Sequence, residues 1–154
     1  MDVASERVNQ LLQQAGWTDD RAIDTSEYQV LFEENELPIS PAALKILREF
    51  GGLRVEGIDP YTQSTYVWLD IDPMFACDVQ SVELLRDFSI ILKRPLTPIG
   101  MAEQGEWVLL VDAEGRVYAN HDLDIYYVAD EMREAIQILC SPKRKNLRKL
   151  GRVN

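Results

Sequence analysis

The chain has 154 residues, 46% of them apolar and 27% charged, with a formal net charge of −10. That is the size of one ordinary domain with room for a real core, and the composition is ordinary for a soluble globular protein. No apolar run approaches the roughly 20 residues of a membrane-spanning helix, and the start MDVASERVNQ lacks the basic-then-apolar layout of a secretory signal, so a cytoplasmic location with no membrane partner is expected.

The charge is unevenly spread. Lys143, Arg144, Lys145, Arg148, Lys149 and Arg152 fall in the last fourteen residues, which hold no acid, leaving 10 basic against 26 acidic residues before them, a net of −16. Such a body repels nucleic acid and draws basic partners through its field. Cys77 and Cys140 lie in apolar surroundings without CxxC spacing, which argues against a zinc site and for two free thiols.

Along the chain, Val8, Leu11, Leu12 and Ala15 recur at helical spacing over 3–15, and Gly16 stops the run. Asp24 with Glu27 three residues on resembles a capping box for a second helix, with Tyr28, Leu31 and Phe32 inward. In ISPAALKILREFGGL, Ser40 suits the N-cap, Pro41 the first helical position, and Leu44, Leu47 and Phe50 the apolar stripe. Gly51 and Gly52 supply a left-handed stop.

Residues 53–58 and 64–71 read as strands joined by the turn-forming DPYTQ. A helix is expected over 78–93, with Val82, Leu85, Phe88 or Ser89, and Leu92 on one side. Residues 95–100 are short and extended. Strands over 106–112 and 116–120 form a hairpin around AEG, where Gly115 supplies positive φ and Asp112 bonds its own backbone. DEMREAIQILC is an amphipathic helix, and Ser141-Pro142 opens a basic C-terminal helix or tail over 141–154. The order predicts an α+β fold, with a twisted, mostly antiparallel sheet flanked by helices in a single domain over 1–140.

The series GW at 16–17, Arg21, Ile23-Asp24, Tyr28, Leu37-Pro38, AALKILREFGGL, PIG at 98–100 and LLVDAEGRVY resembles the third family of the SUKH superfamily, from about residue 10 to 140. The resemblance implies an α+β immunity protein of a bacterial polymorphic toxin system. Such a protein is not an enzyme, needs no cofactor, and neutralises a cognate toxin, often a nuclease, by binding it. It also permits a second reading, an intracellular regulatory or scaffold domain of the same fold. Two features depart from the pattern. Met101 follows PIG where an acidic residue is frequent, with Glu103 two positions on, and the basic tail extends beyond the usual end.

The only histidine, His121, stands among Asp112, Asp122 and Asp124. A general base needs a nucleophile or water in reach and an orienting acid, but Ser81 and Ser89 lack an elbow context. Asp70 with Asp72, and Asp122 with Asp124, are DxD pairs of the kind that bind divalent ions, yet both fall where strands end. No catalytic or metal residue is assigned. Binding is expected instead from acids with aromatic anchors among them: Glu33, Glu34 and Glu36 after the second helix, Asp59 and Tyr61 on the first turn, Glu103 and Glu106 after PIG, and Asp122, Asp124, Tyr126 and Tyr127. Trp17, Trp68 and Trp107 are read as core, and only one of Tyr126 and Tyr127 is expected to face inward. Oligomeric state is left open.

Overall fold

The computed structural model describes residues 3–59, 61–141 and 146–154. Its elements are α1 (Val3–Ala15), α2 (Ser26–Glu34), α3 (Pro41–Phe50), β1 (Arg54–Ile58), β2 (Thr65–Asp70), α4 (Pro73–Val79), α5 (Val82–Leu92), β3 (Thr97–Ala102), β4 (Trp107–Val111), β5 (Val117–His121), β6 (Asp124–Ala129), α6 (Met132–Leu139) and β7 (Arg148–Arg152). The strands form one seven-stranded sheet in chain order, each neighbouring pair antiparallel. The fold is α+β. Among the described residues no helix is long and apolar enough to cross a membrane.

Helix α1 buries Val8 and Leu12 as its spacing requires, and Gly16 ends it at φ 108°. Helix α3 also begins as expected: the Ser40 hydroxyl accepts the Ala43 N–H at 3.1 Å, and Pro41 takes the first position. Its end differs. Gly52 is left-handed at φ 81°, but Gly51 is not, at φ −57°. Gly51 is needed for space instead, because a Cβ there would lie 2.5 Å from the Leu47 carbonyl oxygen and 2.9 Å from the Tyr28 ring. Arg21 secures the same corner by donating to the carbonyls of Glu49 and Gly51 at 2.6 and 2.7 Å.

Three expectations are corrected. Helix α2 starts at Ser26 with Thr25 as N-cap, and no side chain caps it. Asp24 instead accepts the backbone and hydroxyl hydrogens of Ser26 at 2.9 and 2.5 Å, a local turn in place of the capping box. The helix expected over 78–93 is two helices. Asp72 caps α4 through Met74 N–H and Ser81 caps α5 through Leu84 N–H, with Gln80 extended between them. The segment expected as a basic C-terminal helix or tail is, over Arg148–Arg152, the strand β7. Backbone pairing with β6 outweighs a helical preference that a Gly-containing segment holds only weakly. Pro142, Lys143, Arg144 and Lys145 lie outside the described residues.

The core runs along the sheet and under the helices. Leu12, Phe32, Leu47, Leu69, Phe88, Leu109 and Ile125 are fully buried, each contributing about 1.5–3 kcal/mol by its removal from water. Gly100 of the PIG segment has backbone against its missing side chain. A Cβ there would sit 2.4 Å from the Asp70 carbonyl oxygen and 2.8 Å from Ile71 Cα, so β3 approaches the end of β2 only because the residue is glycine.

Candidate functional site

In an antiparallel sheet that follows chain order, alternate connections emerge at the same end. The β1–β2, β3–β4 and β5–β6 turns therefore share one end, and they carry Asp59, Glu103, Glu106 and Asp122. Hydrogen bonds tie the β3–β4 turn to strand β2. Glu103 and Gln104 donate their N–H groups to the carbonyls of Trp68 and Val67 at 3.0 and 2.9 Å, and the Gln104 side chain accepts the Val67 N–H at 2.9 Å. The Tyr66 hydroxyl pKa is raised by partial burial and then by the charges of Glu103, Glu106 and Asp59. Glu106 and Asp122 both line a cavity of about 660 Å³ whose lining includes the buried amides of Gln80 and Asn120.

Each of these turns contains a left-handed residue that is not glycine: Gln63 at φ 58°, Glu103 and Gln104 at φ 49° and 60°, and Asp122 at φ 50°. The β4–β5 turn at the opposite end gives its left-handed position to Gly115, φ 87°. A side chain at positive φ costs about 1 kcal/mol or more, and such residues gather where side chains serve function. Of the acids at this end, Glu103 and Asp122 keep their side chains against that cost.

Aromatic rings lie among the acids. The Trp107 ring packs on His121 with centroids 5.2 Å apart and on Tyr126 at 5.1 Å, and Tyr66 packs edge-on to Trp68 at 4.7 Å. Trp17 and Trp68 are core as expected, but Trp107 is only half-buried and belongs to the surface cluster. Tyr61 is 92% exposed, a bare aromatic at the tip of the β1–β2 turn. Asp59 shapes that turn by accepting the N–H groups of Tyr61 and Thr62 at 2.7 and 3.2 Å. Pro60, part of the same sequence signal, lies outside the described residues.

His121 is thus a ring stacked on Trp107, with its Nδ1 3.7 Å from Asp122. Asp72 is spent as a helix cap, and Asp70 faces Arg54 at 3.8 Å, its pKa raised chiefly by burial. Among the described residues no group of three or more histidines, cysteines or acids is placed to hold a metal ion. Burial pushes the Cys77 thiol up to about 11, and Cys140 is fully buried.

The remaining acids and tyrosines divide. Asp124 is held by the chain's own tail, with Lys149 Nζ and a nitrogen of Arg152 each 3.0 Å from one carboxylate oxygen. Tyr126 and Tyr127 are both half-buried and serve different neighbours. Tyr126 joins Trp107, whereas Tyr127 meets Tyr118, donates to Asp130 at 2.6 Å and lies under Arg148. Glu33, Glu34 and Glu36 are exposed at the end of α2, where Glu36 pairs with Arg86 of α5 at 3.3 Å. They are not part of the turn end.

The stretch VDAEGRVY at the opposite end is scaffold. Asp112, 2% exposed, accepts the N–H groups of Glu114 and Arg116 at 2.9 and 3.0 Å, the Tyr118 hydroxyl at 2.9 Å, and Arg94 at 3.2 Å. Burial raises its pKa, but these hydrogen bonds outweigh it and the carboxyl ends below its ordinary value. Sequence reading did not single out Tyr66, Gln104 or the Gln80–Asn120 pair. Only the fold brings them beside the acids; Tyr66 and Asn120 come from strands, Gln104 from a turn and Gln80 from the link between α4 and α5.

Fold and site together define an α+β protein with acidic turns and half-exposed rings at one end of its sheet. Over residues 4–142 the chain matches the SUKH-3 immunity protein family, and it belongs to that family. Among curated proteins and among solved structures nothing matches. Membership supports an immunity function and, with it, the binding of a toxin.

Proposed function

We propose that this chain neutralises a cognate bacterial toxin without catalysis, by binding it stoichiometrically through the acidic turn end of the sheet. The observation that carries the reading is the convergence of Asp59, Glu103, Glu106 and Asp122 on one end, beside Tyr61, Tyr66, Trp107 and Tyr126. Acids in the rim steer a basic partner and hold it by charge-assisted hydrogen bonds. Aromatic rings supply the desolvated anchors on which affinity depends. A nuclease fits this surface best among toxins, because its substrate cleft is basic. The complex forms in the cytoplasm of the producing cell, where such a toxin would act.

The test is growth rescue. The toxin domain encoded beside this gene is expressed in a sensitive bacterium with the wild-type chain, or with a Glu103→Lys and Glu106→Lys double variant. Rescue by the first and not by the second, with a complex that weakens in high salt, is expected. Rescue that survives the double reversal would move the toxin to another surface.

A further inference from the structure

Strand β7 lies beyond the span that matches the family, which ends at residue 142. It is also the chain's basic segment, and it is seated on acid. Its backbone pairs with β6 in the register Asp124↔Arg152, Ile125↔Gly151, Tyr126↔Lys149 and Tyr127↔Arg148, and Val153 N–H adds a bond to the Leu123 carbonyl at 2.9 Å. Lys149 and Arg152 both grip Asp124, and Arg148 sits 5.2 Å from the centre of the Tyr127 ring. Arg152 also lines the cavity that Glu106 and Asp122 border.

Leu147, Leu150 and Val153 pack against the core, and two further forces that hold this strand are general chemistry. An edge strand offers a row of N–H and C=O groups to any extended segment. Beside that row β6 displays one carboxylate and two tyrosine rings, which select lysine and arginine over other side chains. With β7 displaced, β6 would be the sheet's outer edge, continuous with the acidic turn end through Asp122 and Asp124.

We propose that the outer edge of β6 is a docking edge for an extended, lysine- and arginine-bearing segment of the protein partner, and that β7 is the chain's built-in competitor for it. The partner's identity as the toxin rests on the reading above; the edge itself does not. Bound segment and tail exclude each other, so the partner's apparent affinity is lowered by the fraction of molecules in which β7 is seated.

Gly151 provides a test that leaves charge unchanged. A Cβ at this position would lie 2.7 Å from Ile91 Cγ2 of α5, so Gly151→Val forces the strand or the Ile91 side chain to shift and is expected to weaken the seating of β7. A second full-length variant, Lys149→Gln with Arg152→Gln, releases Asp124 without that clash. The probe is a fluorescent peptide of residues 146–154, NLRKLGRVN, read by anisotropy alongside a scrambled peptide of equal charge, with folding checked by circular dichroism. Each folded variant is expected to bind the peptide about tenfold or more tighter than wild type does, with the scrambled peptide weaker. Equal binding by wild type and variants, or equal binding of the scrambled peptide, overturns the docking edge. Tighter peptide binding with no gain in capture of the neighbouring toxin domain overturns the toxin as occupant. Failure of the wild-type chain to rescue growth, by contrast, removes the toxin reading and leaves the peptide result standing.

Discussion

The Tyr118 hydroxyl donates to the buried Asp112 carboxylate at 2.9 Å, across the hairpin whose turn Asp112 itself closes. This one contact joins the Asp and the Tyr of the VDAEGRVY stretch and explains why both stand at that spacing. Arg94, arriving from the end of α5, donates to both partners at 3.2 and 3.0 Å.

Asp112→Asn should therefore destabilise the fold by about 2–4 kcal/mol, since several donors lose a charged acceptor in a buried place. The carboxyl's pKa is depressed in the folded state, so its contribution is full above the unfolded value of about 4 and is lost as pH falls through the folded one. Urea unfolding of wild type and variant between pH 2 and 7 tests this. The stability gap should be widest near neutrality and narrow on acidification; a gap independent of pH would refute the assignment.

At Gly100 the neighbours of a new methyl are backbone atoms of β2 and its following residues, which cannot turn aside. Gly100→Ala is expected to cost about 1–3 kcal/mol, despite alanine's lower unfolded-state entropy. Thermal denaturation measures it directly. A neutral result would mean that β3 and β2 separate freely, contrary to the packing described.

Gln80 and Asn120 exchange two hydrogen bonds, at 3.0 and 2.6 Å, and both are buried. Removing either amide leaves the other without its partner, so Asn120→Ala and Gln80→Ala should each cost about 1–3 kcal/mol. The double variant should cost clearly less than the two combined. A double-mutant cycle by chemical denaturation gives the coupling, and simple additivity would show that the pair does not act together.

Asp122 holds a left-handed conformation at the first position of a two-residue turn, with its side chain exposed. Asp122→Gly relieves the steric cost while adding unfolded-state entropy, so stability should stay level or rise by no more than about 1 kcal/mol. Capture of the toxin should weaken and its association slow, most at low salt. Surface-binding kinetics at two ionic strengths separate these effects. Unchanged capture would take Asp122 out of the interface.

Much of this molecule is readable residue by residue. The Ser40 cap, the Gly16 stop, and the hairpin around Gly115 with Asp112 at its turn are all set by contacts within a few positions, and each formed as its local chemistry requires; in α3 the buried stripe is Ala43, Leu47 and Phe50, with Leu44 only half-buried. At Asp24 a local turn to Ser26 replaced the capping box; the other two errors occurred where a distant partner competes with a local preference. Gln80 breaks the helix expected over 78–93 because its amide meets Asn120, forty positions away. The tail over Arg148–Arg152 is a strand because β6 offers it a ladder and Asp124 a charge.

The candidate site divides along the same line. The sequence by itself determined that this chain is acidic, carries six of its sixteen basic residues in the last fourteen positions, and places Asp59 and Tyr61 in a turn, because charge and turn chemistry are properties of single residues and their nearest neighbours. Only the tertiary structure decided that the three turns share an end, that Trp107 joins Tyr126 and His121 there, that Glu33 and Glu34 stand elsewhere, and that Asp124 is already held by Lys149 and Arg152. Those facts depend on strand order and register, which are set by the burial and pairing of residues far apart in the chain.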